Sequence, residues 1–104
     1  MKNVNDMTDD ELTQEAAEIM GFPPRPEGKP LLWLPTESWN DLMPLVTVMR
    51  LKGWLLEIDP RRAEKGLVYV GFVRNDFRLV ACQIAELGDE RRGILRAALI
   101  ALQS

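Results

Sequence analysis

The 104-residue sequence has no histidine and only one cysteine, Cys82. Without an imidazole there is no Ser-His-Asp triad, no Cys-His nucleophile pair and no His-ligated metal. One cysteine excludes an internal disulfide and any Cys-rich zinc site. Lying in an apolar, alternating run, Cys82 reads as an inert core residue. The apolar runs fall far short of the ~18 residues needed to span a bilayer. The first six residues, MKNVND, lack the apolar stretch of a signal peptide, so a cytoplasmic location is expected by default. Phosphate-cradling signatures are missing as well. There is no P-loop and no GxGxxG, and Gly66 and Gly71 stand singly beside strand residues. No cofactor is expected.

The apolar fraction is 46%, enough for a packed interior, and the length suits one domain over residues 1–104, with 1–7 read as a flexible tail. Such a domain is stable by about 5–10 kcal/mol. Burying the bulky rings of Trp33, Trp39 and Trp54 would therefore matter. The net charge of −3 is uneven: residues 1–20 hold six acids against Lys2, while the remainder holds twelve Lys and Arg against ten acids. An acidic leading helix on a mildly basic body suits a head-to-tail contact or an arginine-lined surface, although ordinary solvated faces show the same pattern.

Along the chain, Thr8 and Glu11 form a capping box, Met7 and Leu12 a hydrophobic staple, and Asp9, Asp10 and Glu11 complement the helix dipole. Leu12, Ala16, Ile19 and Met20 make one apolar face, stopped by Gly21. Residues 22–36 carry five prolines and read as an ordered loop or a short edge strand around Leu31–Leu34. Ser38 and Asp41 open a second helix whose inner stripe is Leu42, Leu45, Val46 and Met49. Pro44 either kinks this helix or marks its true start, and Gly53 ends it. Trp54, Leu56 and Ile58 alternate with Leu55, Glu57 and Asp59. LVYVGFV (67–73) is apolar on both faces, as in a central strand covered on both sides. Phe77–Ile84 reads as a third strand, with a helix as the competing assignment. Asp89 caps a last helix with Ile94, Leu95, Ala98, Leu99 and Leu102 inward. The expected fold is α+β: a three- or four-stranded antiparallel sheet with helices packed on its faces, an α-β-α sandwich, in the order α-(loop or short β)-α-β-β-β-α.

EIMG (18–21), SWN (38–40), KGW (52–54), the strand pair and GILRAALIALQ (93–103) resemble the phage ABA-sandwich family, also called BC1872-like: small phage and prophage proteins of unknown function. The resemblance covers roughly residues 11–103. It implies a helix–sheet–helix sandwich, host-cell cytoplasm as the location, and no established activity or catalytic residues. Gly93 departs from the alanine usual there, and Pro44 interrupts the second helix. Neither should threaten the fold, since an exposed helical glycine costs about 1 kcal/mol.

The candidate chemistry is binding. Trp33, Trp39 and Trp54 adjoin loops or caps, where they either close the ends of the core or line a recognition surface. Arg61–Arg62 lies in a turn and Arg91–Arg92 opens the last helix, at the end its dipole disfavours; such pairs can grip phosphate. Glu57 and Asp59 share a strand face two residues apart, a spacing able to bind a hard cation or serve acid–base chemistry, although solvated acids are commonplace there. The expectation is a non-enzymatic phage or prophage accessory protein that binds a protein partner or a second copy of itself as a homodimer. The alternatives are a nucleotide-like small-molecule binder in anti-phage defence and, against a pI of about 4.9, a weak nucleic-acid binder. No membrane partner is expected.

Overall fold

A computed structural model describes residues 3–22, 33–59, 65–74, 79–86 and 88–103, with the backbone alone at 79–82. After a 3-10 turn (Val4–Asp6) come helices α1 (Asp9–Met20) and α2 (Trp39–Leu51). Strands β1 (Trp54–Asp59), β2 (Leu67–Arg74) and β3 (Leu79–Glu86) follow, and then helix α3 (Glu90–Leu102). The strands form one antiparallel sheet in the order β1-β2-β3. The fold is mixed α+β, as expected. No helix of the described residues is long and apolar enough to cross a membrane.

The helix boundaries follow local chemistry. Thr8 and Glu11 close the capping box from both sides, and Met7 and Leu12 are both buried. At the other end Gly21 turns left-handed with φ 75°, and Phe22 N–H donates back to the Ala17 carbonyl at 3.0 Å, a Schellman stop. α2 runs unbroken through Pro44. Both Pro44 and Asn40 are exposed, so the carbonyl that loses its helical donor faces water.

Register decides what the sheet buries. Val68, Val70 and Phe72 of β2 share a face with Trp54 and Leu56 of β1 and Ala85 of β3. All are buried except the half-buried Leu56. α3 lies over β2 and β3 on this face, α2 lies against β1 beside α3, and α1 packs mainly on α3. The result is one contiguous core.

Several details depart from the sequence reading. First, the described helices gather on one face of the sheet. α1 stacks on α3 with Leu12, Thr13 and Ala16 inward and does not cross to the other side. There Leu55 is 40% and Ile84 53% exposed. Second, residues 4–7 are built into the body, because Val4 and Met7 are buried in the core. Third, Gly93 is buried under the sheet and not exposed. A Cβ there would lie 2.8 Å from Val70 Cγ2 and 2.9 Å from the Ala85 Cβ, so the missing side chain lets α3 seat this closely. β3 also runs two residues further than expected, to Glu86, while Phe77 and Arg78 lie outside the described residues; a register irregularity falls between Phe72 and Val73. Residues 23–32, where the short edge strand was expected to begin, lie outside the described residues, as do Arg61 and Arg62.

Candidate functional site: an aromatic corner at three helix starts

The N-terminal ends of α1, α2 and α3 meet at one corner of the molecule, joined by the arginine pair that opens α3. Arg92 reaches back to the first residue of α1. Its Nε donates to Asp9 Oδ1 at 2.5 Å and its Nη2 to Asp9 Oδ2 at 2.7 Å, while Nη1 pairs with Asp89. The fork-on-fork geometry fits a bidentate arginine–carboxylate pair. Hydrogen bonding and charge from Arg92, with Arg96 adding attraction, hold the Asp9 carboxyl below its ordinary value, although partial burial works the other way. Asp89 precedes α3 as expected, but its side chain caps no backbone N–H, being engaged with Arg92.

Arg91 faces the other way. Its Nε donates to the Thr36 carbonyl at 3.1 Å, and its guanidinium carbon lies 5.5 Å from the centre of the Trp39 ring, within cation–π range. Arg91 thereby joins the start of α3 to the turn before α2. Both arginines lie at the dipole-unfavourable end of their helix, and both find compensation across elements.

Asp41 secures the same turn. Its carboxylate accepts from Leu34 N–H at 2.8 Å, and its backbone carbonyl accepts from the Trp33 indole N–H at 2.6 Å. Asp41 was expected only as an acid in the first turn of a helix capped by Ser38. Ser38 makes no side-chain cap bond, and the Asp41 side chain holds the incoming loop instead. Phe22 meets the Trp33 ring edge-on at 5.1 Å.

The structure therefore sorts the candidate residues. Trp33 is half-buried with its N–H satisfied, and closes the core. Trp54 is buried at the start of β1 under Arg74, whose guanidinium lies 4.7 Å from its ring. It follows α2, whose 13 residues span roughly 20 Å at 1.5 Å each, so it belongs to the far end. Arg92 is taken up by carboxylates. Trp39 remains, 38% exposed, beside Arg91, with Leu34 exposed in the adjoining turn and Met43, 46% exposed, one helical turn along. Met43 was missed by the sequence reading. Its position four residues from Trp39 and outside the Leu42–Leu45–Met49 stripe was the available signal.

Comparison of the chain with family models, curated proteins and solved structures finds no match.

What the corner offers is a flat aromatic face, two flexible apolar side chains and one cation, gathered at the starts of α2 and α3 and the turn before α2. That inventory suits recognition.

Proposed function

We propose that the protein is a binding module, acting on a protein partner through the Trp39 corner, and that the phage or prophage setting suggested by the sequence resemblance makes it an accessory protein. The observation that carries this reading is the exposure of Trp39 and Met43 beside Arg91. Trp and Arg dominate the binding energy of protein interfaces when apolar neighbours exclude water around them. Proximity of Arg91 to the ring also leaves the indole face partly desolvated before any partner arrives.

Affinity capture with tagged protein from cells that carry the gene tests this. The wild type should retain a partner that Trp39→Ala and Arg91→Ala each lose, while Leu51→Ser, exposed at the other end of α2, retains it. A partner held equally by all four proteins would remove the corner from consideration.

A flat anionic ligand is the second reading, favoured by the Trp39–Arg91 pairing. It is weakened because Arg92 is already neutralised by Asp9 and Asp89. A nucleotide in 100-fold excess over its Kd would raise stability by about 2.7 kcal/mol. A thermal shift of that size, lost in Trp39→Ala, would move the reading from protein to ligand.

A further inference from the structure

We propose that the open face of the sheet is a second docking surface, made for a basic amphipathic helix of a partner protein. The register places Leu55, Glu57 and Asp59 of β1, Leu67, Tyr69, Gly71 and Val73 of β2, and Ile84 and Glu86 of β3 on this one side. Leu55 and Ile84 are the exposed apolar side chains, on the two outer strands. Leu67, Tyr69 and Val73 are half-buried between them. Gly71, itself buried between its neighbours, contributes no side chain to the middle of the central strand. Every described charged side chain on this face is acidic, with Glu57 and Glu86 exposed.

Size and charge choose the occupant. Three strands about 4.8 Å apart set the outer two roughly 10 Å from each other, the width of one α-helix. The six residues of β1 extend about 20 Å, which matches a helix of roughly 13 residues. A single helix with one apolar stripe therefore fills the face, and lysines or arginines flanking that stripe would meet Glu57 and Glu86. A second copy stacked face to face would bring the same acids together, which disfavours self-association here. The described helices are committed to the opposite side.

The test uses a dye-labelled 14-residue leucine–lysine helical peptide and its leucine–glutamate twin, titrated against the full chain by fluorescence anisotropy. The lysine peptide is expected to bind at least tenfold tighter than the twin. Leu55→Ser combined with Ile84→Ser should weaken it tenfold or more. Glu57→Gln with Glu86→Gln should weaken it and flatten its salt dependence, whereas Leu51→Ser and Trp39→Ala should leave it unchanged. Far-UV circular dichroism verifies that each variant is folded. Equal binding of the twins, no binding of either, or full binding by the serine variant would overturn the proposal. A concentration-dependent dimer abolished by the serine variant would overturn it too, assigning the face to a second copy. Trp39→Ala separates this surface from the corner, since only the corner depends on it.

Discussion

Replacing Gly93 by alanine separates two opposed expectations. On an exposed helix surface the change would stabilise by about 1 kcal/mol, the difference in helix propensity. In the structure the new methyl would meet Val70 Cγ2 at 2.8 Å and the Ala85 Cβ at 2.9 Å. Neither neighbour yields cheaply. Val70 is β-branched and stiff about χ1, and the Ala85 methyl is fixed to its strand. α3 must lift from the sheet or the sheet must bend, and overpacking of this kind costs about 1–3 kcal/mol. The cost exceeds the propensity gain, so Gly93→Ala should destabilise by about 1 kcal/mol and lower Tm by about 4–8 °C for a domain of this size. Gly93→Val should lose more. Combined with Ala85→Gly, which removes one obstructing methyl, Gly93→Ala should cost less than it does alone, a coupling visible in a double-mutant cycle. Urea and thermal unfolding followed by circular dichroism supply the measurements. A rise in Tm for Gly93→Ala would show that α3 does not seat this closely, and the account of the core would have to change.

Three further outcomes are expected. Phe72→Ala and Trp54→Ala, both in the core, should each cost about 3–5 kcal/mol in urea melts; Trp39→Ala should cost no more than about 1 kcal/mol, and comparable losses at Trp39 and Trp54 would contradict their assigned positions. Arg92→Ala should lose about 0.5–1 kcal/mol, discounted because both partners are partly exposed, and a melt indistinguishable from wild type would mean the pair holds nothing. Because the folded Asp9 carboxyl lies below its ordinary value of 3.8, its contribution is present above that value and fades as pH falls through the folded one; Asp9→Asn should therefore lose less stability than the wild type between pH 4 and pH 2, and parallel acid profiles would refute the linkage.

Elements marked by neighbouring residues were legible in the sequence. The Thr8–Glu11 box, the Gly21 stop and the alternation of Trp54–Asp59 each rest on contacts within a few positions, and each is found where expected. The opposed dipole at Arg91 and Arg92 marked two side chains that are engaged with other elements. Their partners were not legible, because Asp9 lies 83 positions from Arg92 and Thr36 lies 55 from Arg91, separations that leave no periodic trace. Trp39 and Trp54 look alike in sequence, both beside a helix end; only the direction each ring takes separates an exposed indole from a buried one. The apolar pattern of β2 suggested cover on both sides. It cannot distinguish a side chain screened by its cross-strand neighbours from one beneath a helix. Gly93 reads as a weak helix residue until the distance to the sheet is known.

The pairing of α1 with α3 bears on how the chain is made. α1 is synthesised well before α3, the helix on which it mainly packs. Until α3 is available, the apolar side of α1 lacks its main cover and lies within reach of chaperones and proteases. A chain cut short before α3 is expected to leave Leu12 and Ala16 without their main cover, a defect that proteolysis of the truncated product would report.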